Sequence, residues 1–272
     1  MSKYSPSNYV GKPIICTNPC AEVPLEDGGA CNLGSLNLSC FVENGYEAKA
    51  KINWDQLAES TATLVRFLDN VVTWNEDLNA LEKQRVAATE TRRLGLGIMG
   101  IADMLNQLGI GYDSKSGMKI IAEVMEFITN AAYQASASLA VEKGASPIYS
   151  EEEYMECPFI ETALSDETQS LIRENGIRNI AIMSIAPTGS ISNIIKGFQV
   201  EGKNYIGVSS GVEPIFALYY TRRTESFKKN EFYNVFHSTV QAFIDKMGLE
   251  EEVKVADKIE DVLPDYFLRT AH

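Results

Sequence analysis

The chain has 272 residues, 45% of them hydrophobic, and a formal net charge of −13 at pH 7. This length is enough for one large globular domain or two small ones. The acidic balance comes without any block of Lys or Arg. DNA and RNA are therefore not expected as partners, because the affinity of proteins for them comes largely from neutralising phosphates.

The five cysteines are an odd number in a chain that is not small, so a secreted disulfide framework is not expected. No basic-then-apolar leader and no long apolar run is present, which predicts a cytoplasmic protein without a membrane partner. The two histidines, His237 and His272, and the lack of a CxxC pair predict no metal site.

The most informative stretch follows a polar lead-in over residues 1–13, which we expect to be poorly ordered or to lie at an edge. Within CTNPCAEVPLEDGGAC, the residues Asn18, Cys20 and Glu22 alternate, and Cys31 comes after a Gly-rich connection. Residues two apart in an extended or looped backbone point the same way. The spacing therefore predicts an amide, a thiol and a carboxylate on one side of a single loop.

Cys20 has a second interpretation, because a free cysteine most often behaves as a small buried hydrophobe. Its neighbours here are polar groups, a proline and an acid instead of an apolar run. That environment favours a chemical role for this cysteine.

Apolar residues at helical spacing predict helices over Ile52–Asn75, Leu78–Thr89, Ser116–Lys143 and Glu167–Glu174. Residues 146–166 contain two prolines and are predicted to be irregular. The segment TRRLGLGIMG contains Gly95, Gly97 and Gly100 in the spacing of a dinucleotide-binding loop. No hydrophobic strand precedes them, so we instead expect a closely packed helix or turn, with Ile101 and further apolar residues facing inward.

The apolar run from Arg178 to Ile185 predicts a buried strand leading into APTGSIS. A loop of glycine and hydroxyl residues before a helix start is suited to holding an anion. The alternative is an ordinary turn with a helix cap. Farther along, the pattern predicts a strand over Ile215–Arg222 and an amphipathic helix over Glu231–Met247.

Taken in order, NPCAE, GACNLGSLNL, TRRLGLGIMG, PTGSIS and SSGVEPIFALYYTRR resemble the catalytic subunit of ribonucleotide reductases. The resemblance is greatest to the vitamin-B12-dependent class II branch and its close class I relatives. It implies an α/β fold, part of a ten-stranded α/β barrel of the ribonucleotide reductase and glycyl radical enzyme type with a central finger loop. Residues 1–272 would form a single partial domain, with the finger loop and return segment over 14–40 and the second half-barrel over 41–272.

The resemblance also implies roles for particular residues. Cys20 would carry the thiyl radical, Glu22 would be the general base, and Asn18 would hold the ribose hydroxyls. Cys31 would be one of two redox cysteines. The substrate phosphates would be held by Pro187, Thr188, Gly189, Ser190 and Ile191.

Cofactor and partners follow from the same resemblance. It implies adenosylcobalamin or, alternatively, a separate metal-containing small subunit as the radical source. The substrate would be a ribonucleoside di- or triphosphate, and a thioredoxin- or glutaredoxin-type protein would supply electrons. The family's first redox cysteine and effector-binding region lie upstream of the position of Met1, so a complementary N-terminal reductase fragment is expected.

Three other interpretations stay open at the level of sequence. In the first, the chain is a catalytically inactive nucleotide-binding or interaction fragment. In the second, it is a thiol oxidoreductase that uses Cys16 and Cys20. The third is a dehydrogenase that uses Gly95, Gly97 and Gly100.

Overall fold

A computed structural model describes residues 2–212, 214–226 and 229–271, so Glu213 of the SSGVEPIF motif lies outside the described residues. The α-helices are α1 (Trp54–Asn75), α2 (Glu82–Thr91), α3 (Ile101–Gln107), α4 (Lys115–Lys143), α5 (Glu151–Met155), α6 (Pro158–Ala163), α7 (Asp166–Asn175), α8 (Ile191–Ile194), α9 (Ser238–Met247), α10 (Glu250–Val255) and α11 (Asp265–Leu268). Short 3₁₀ helices span Ser2–Tyr4, Pro6–Asn8, Leu38–Phe41 and Ile259–Asp261.

The strands are β1 (Cys16–Thr17), β2 (Pro24–Leu25), β3 (Asn32–Asn37), β4 (Val42–Glu43), β5 (Lys51–Ile52), β6 (Leu94–Met99), β7 (Lys196–Val200), β8 (Lys203–Ile206), β9 (Tyr219–Ser226) and β10 (Lys229–Phe236). They form the two-stranded sheets β1–β2, β3–β6, β4–β5, β7–β8 and β9–β10. The mixture of helices and strands confirms an α/β fold. Within the described ranges no sheet closes on itself, so the ten-stranded barrel stays a prediction.

The long helices follow the apolar periodicity of the sequence. Helix α1 buries Leu57, Val65 and Leu68 at 0–2% exposure, and α4 buries Val124 and Ile128 completely. The predicted boundaries of both helices agree with the structure within two residues, because each helix has a broad apolar stripe to bury.

Two predicted elements are wrong in type. The segment around Gly95 and Gly97 is the fully buried strand β6 and neither a helix nor a turn. The predicted helix over Glu231–Met247 is divided, since its first part pairs with β9 as strand β10 and only Ser238–Met247 is helical. The imidazole of His237 marks the change, because its Nδ1 accepts the Thr239 N–H at the start of α9.

Four smaller differences also come from tertiary contacts. The predicted strand at Arg178–Ile185 forms only an isolated parallel bridge, between Met183 and Leu96. The region expected to be irregular contains α5 and α6, and the polar lead-in buries Pro6 and Val10. The strand expected over Ile215–Arg222 is displaced toward the C-terminus, as β9.

The chain divides into two compact units, residues 1–36, 54–98 and 122–187, and residues 37–53, 99–121 and 188–272. The first unit contains α1, residues 122–143 of α4 and the Cys16–Leu25 hairpin. The core of the second unit is aromatic, with the rings of Tyr46 and Phe243 in edge contact at 5.9 Å and Phe267 fully buried. Whether the chain is a single partial domain stays a prediction.

Strand β6 lies between two other segments of the first unit. The Leu96 N–H donates to Ile182, and the Ser184 N–H donates back to Leu96. A Cβ atom added to Gly97 would overlap the Ser184 carbonyl oxygen, and one added to Gly95 would lie 2.8 Å from the Cys31 sulfur. Gly97 is therefore required by the close approach of the Ser184 backbone, and Gly95 by the side chains of Cys31 and Leu33.

Gly97→Ala is expected to lower the free energy of unfolding by about 1–3 kcal/mol, because the added methyl group overpacks a buried strand. Urea denaturation of the 272-residue chain measures the change. Gly189→Ala is the matched control, since nothing lies within 4 Å of its added Cβ atom. Equal loss of stability in both variants would contradict the close-approach argument.

Candidate active site

The segment from Cys16 to Leu25 is a small antiparallel hairpin. Strands β1 and β2 pair with Cys16 opposite Leu25 and Thr17 opposite Pro24. Asn18 closes the loop, since its N–H donates to the Val23 carbonyl at 3.1 Å and its Oδ1 accepts the Val23 N–H at 3.0 Å. One amide side chain therefore fixes the width of the hairpin at its tip.

Cys20 lies at the exposed tip of this hairpin, as a free thiol. The Ala21 N–H donates to the Asn18 carbonyl at 3.0 Å, and Ala21 adopts a φ of 64°. This turn replaces the extended backbone on which the expected alternation of side chains was based. The three candidate residues Asn18, Cys20 and Glu22 nevertheless belong to a single closed loop.

Glu22 has one carboxylate oxygen that is available to accept a hydrogen bond. Its Oε2 is buried and accepts no hydrogen bond from any residue that the structure describes. Its backbone is held in place, because the Ser184 hydroxyl donates to the Glu22 carbonyl at 3.2 Å. A buried acceptor without a donor is costly, so this oxygen is suited to taking a proton or hydrogen bond from a bound molecule.

Cys31 lies one residue before β3 and is half-buried, with its sulfur beside Gly95 of β6. Burial raises the pKa of the Cys31 thiol to about 12. The positive charge of Arg93 acts against this rise, whereas the carboxylates of Glu26 and Glu22 add to it. Cys31 and the hairpin acid Glu22 are thus close enough to interact electrostatically within the first unit.

A buried ion pair beside Cys31 was not found from the sequence. The guanidinium of Arg93 donates to Glu26 Oε2 at 2.7 Å and 3.1 Å, and the Thr91 hydroxyl donates to Glu26 Oε1 at 3.1 Å. The side chains of Arg93 and Glu26 are 4% and 3% exposed. The only signal in the sequence was a pair of charged residues bordering apolar strands, which does not say that they meet.

In the predicted phosphate loop, Pro187 is the last residue of the first unit and Thr188 belongs to the second. Thr188 has a φ of 52°, and its hydroxyl accepts the Gly211 N–H at 2.9 Å. Gly189, Ser190 and Ile191 are exposed, and Asn193 Nδ2 donates to the Gly189 carbonyl at 2.6 Å. The Thr188 hydroxyl is therefore already occupied, whereas the exposed part of the loop is accessible to a ligand.

The structure bears on two of the other interpretations, the dehydrogenase and the thiol oxidoreductase. Gly95 and Gly97 lie inside strand β6 and Gly100 precedes α3, so they do not form the loop that a dinucleotide requires. Cys16 lies in β1 as a free thiol, with its sulfur 3.7 Å from the Leu25 carbonyl.

None of the helices in the described part of the chain is both long and apolar enough to cross a membrane.

The α/β fold carries a hairpin with an exposed free thiol, Cys20, and a second, half-buried cysteine, Cys31, in the same unit. Residues 3–267 match the family model described as the barrel domain of ribonucleotide reductase. The chain belongs to this family.

Curated relatives agree with that assignment. A vitamin B12-dependent ribonucleoside-diphosphate reductase of Mycobacterium tuberculosis is 36% identical over 77% of this chain, and one of Thermoplasma acidophilum is 33% identical over 96%. A ribonucleoside-diphosphate reductase subunit alpha of Chlamydia pneumoniae is 32% identical over 78%. The matches cover 25%, 31% and 21% of these relatives, so the chain spans about a quarter of their length.

Thiol reactivity is expected to separate the cysteines of the site. At pH 7–8 the exposed Cys20 should be alkylated fast, and Cys31 slowly, because the thiolate is the nucleophile and the raised pKa of Cys31 keeps it protonated. The Cys31 rate should increase about tenfold per pH unit up to the region of pH 12. Mass spectrometry of iodoacetamide-treated protein measures both rates, and a Cys31 rate that levels off near pH 9 would contradict the structure.

Proposed function

We propose that this chain is a catalytic part of a reductase that converts ribonucleoside di- or triphosphates to deoxyribonucleotides by radical chemistry. The observation that carries the proposal is the hairpin, which presents the Cys20 thiol at its tip and holds Glu22, with a free buried oxygen, near Cys31. The family match and the names of the relatives support the same reaction.

Cys20 and Glu22 have complementary roles in this proposal. A thiyl radical on Cys20 takes the hydrogen atom from C3′ of the ribose, and this step requires a sulfur that a sugar can reach. Glu22 Oε2 accepts the proton of the 3′-hydroxyl as general base, which calls for an acceptor with no other partner. Both features are present on one hairpin.

Asn18 positions the sugar. Its Oδ1 is engaged by the Val23 N–H, so its Nδ2 is the group left to donate to the ribose hydroxyls and to the forming ketone. A donor held by the loop that it closes needs little reorganisation when substrate binds. The same hydrogen bond that shapes the hairpin thus orients the donor.

Cys31 is proposed to supply reducing electrons together with a second thiol. The net reaction is balanced when two thiols and a ribonucleotide give a deoxyribonucleotide, water and one disulfide. A thioredoxin- or glutaredoxin-type protein then reduces the disulfide by thiol exchange. Because the chain spans about a quarter of its relatives' length, we propose that a complementary N-terminal reductase fragment contributes the second thiol.

The substrate phosphates are proposed to bind at Pro187, Thr188, Gly189, Ser190 and Ile191. The exposure of Gly189 and Ser190 supports this role. The Thr188 hydroxyl instead serves to hold the loop through Gly211. The proposed setting for all these residues is a ten-stranded barrel with the hairpin as its finger loop, completed by the complementary fragment.

Adenosylcobalamin is the proposed radical source, as the names of two relatives support. When bound, it would supply a carbon radical that takes the hydrogen atom from the Cys20 thiol. The exposed position of Cys20 at the hairpin tip fits this requirement, because an external radical source has to reach the sulfur. A separate metal-containing subunit would make the same demand on Cys20, so activity with and without cobalamin distinguishes the two.

Cys20→Ala is expected to abolish deoxyribonucleotide formation, since the proposal places the radical on the Cys20 sulfur at the hairpin tip. The assay combines the 272-residue chain with the complementary fragment, adenosylcobalamin and a dithiol, and quantifies the product by chromatography. Nucleotide binding should change less than about twofold. The control Cys16→Ala removes the other exposed hairpin thiol and should retain turnover.

Turnover by Cys20→Ala at the wild-type rate would refute the proposal. Nucleotide binding without turnover in any combination would instead establish the inactive binding fragment.

Asn18→Asp and Asn18→Ala separate the two tasks of Asn18. The aspartate keeps an acceptor for the Val23 N–H and so preserves the hairpin, but it loses the donor to substrate. We expect kcat to decrease about 10²–10³-fold in Asn18→Asp, as for loss of one oxyanion donor. Limited proteolysis should cut the hairpin of Asn18→Ala faster than that of Asn18→Asp; equal kcat in Asn18→Asp and wild type would exclude the donor role.

A further inference from the structure

The ion pair of Arg93 and Glu26 acts electrostatically on Cys31 and is not used by the proposed chemistry. Arg93 precedes β6 directly, and residues two apart in an extended chain share a face, so its side chain lies toward the side where Cys31 sulfur contacts Gly95. Glu26 lies just after the hairpin strand β2. The pair therefore connects the base of the hairpin to the strand that carries the redox thiol.

Both charges of this pair are almost completely withdrawn from solvent. Arg93 directs two N–H groups at one oxygen of Glu26, and Thr91 donates to the other oxygen. The charged groups that face Cys31 are Arg93, Glu26 and Glu22. Because solvent screens Arg93 and Glu26 little at such low exposure, removing either charge is expected to change the electrostatic potential at the sulfur.

We propose that Glu26 is a positioning residue for the redox step at Cys31. By pairing with Arg93, it offsets the positive charge next to the sulfur and, together with burial of the thiol, lowers the fraction of Cys31 that is present as thiolate. The importance of this for catalysis rests on the proposed function, in which each of two thiols must bring a hydrogen to the reaction. The charge arrangement itself does not depend on that reaction.

An unpaired Arg93 would have the opposite effect. A guanidinium without a counter-ion beside the sulfur stabilises the thiolate, and a thiolate has no hydrogen to give. It is also the form attacked by oxidants and alkylating agents. The pair therefore slows oxidation of Cys31 before substrate binds.

The test measures alkylation of Cys31 by iodoacetamide between pH 7 and pH 10.5 in four forms of the 272-residue chain, with peptide mass spectrometry as the readout. The forms are wild type, Glu26→Gln, Arg93→Gln and the double variant. Glu26→Gln leaves Arg93 unpaired and should increase the Cys31 rate about tenfold at pH 8, as expected for a pKa lower by one unit. Arg93→Gln should decrease the rate, and the double variant should return near wild type.

Two internal controls separate this effect from damage to the fold. Cys157 is fully buried, so its alkylation reports opening of the chain, and the Cys31 rate is read relative to it. Asp69→Asn breaks a second buried ion pair, that of Asp69 with Arg92, which is next to Arg93 in sequence. It should leave the Cys31 rate unchanged.

Equal Cys31 rates in the four forms, with Cys157 protected, would overturn the proposal. So would a rise in the double variant as large as that in Glu26→Gln. If Glu26→Gln exposes Cys157, Arg93→Lys replaces it as the comparison. The lysine keeps the charge and should keep the wild-type rate, whereas Arg93→Gln should not, and equal rates in these two variants would overturn the proposal as well.

The measurement needs no turnover. Failure of nucleotide reduction with the complementary fragment would therefore refute the proposed function and leave this result standing. A wild-type pH profile in Glu26→Gln would refute only the role of Glu26.

Discussion

The close approach of strand β6 to its neighbours is the constraint on which the first unit depends. Backbone hydrogen bonds join Leu96 to Ile182 and Ser184, and glycine at 95 and 97 lets Cys31 and the Ser184 backbone come near. Ser184 in turn holds the carbonyl of Glu22. One buried strand thus fixes the position of both the acid and the second thiol, while Cys20 is exposed at the hairpin tip.

Electrostatics in this region are set by burial more than by the number of charges. The pair of Arg93 and Glu26 is almost fully buried, and removing one partner of such a pair typically costs about 3–5 kcal/mol because the other charge is left uncompensated. The pair of Arg66 and Glu142 is half exposed, and pairs of that kind typically contribute about 0–1 kcal/mol. Charge neutrality beside Cys31 is therefore both a structural and a chemical requirement.

Much of the site was predictable from sequence because its parts are local. Asn18, Cys20 and Glu22 lie within five residues, so any loop that contains them keeps them together. Helices α1 and α4 were predictable for a similar reason, since an apolar stripe at helical spacing shows which face is buried. Strand β10 was not, because its identity comes from pairing with β9 and its sequence also suits a helix.

The sequence by itself determined the order of the motifs, the kinds of reactive side chain, the family resemblance and the long amphipathic helices. Only the tertiary structure decided that the glycines near position 95 lie in a buried strand and that Thr188 binds Gly211. It alone brought Glu26 to Arg93 across 67 positions. The physical reason is that spacing along a chain specifies neighbours within a helix or loop, whereas pairing, desolvation and charge cancellation depend on which distant segments share a core.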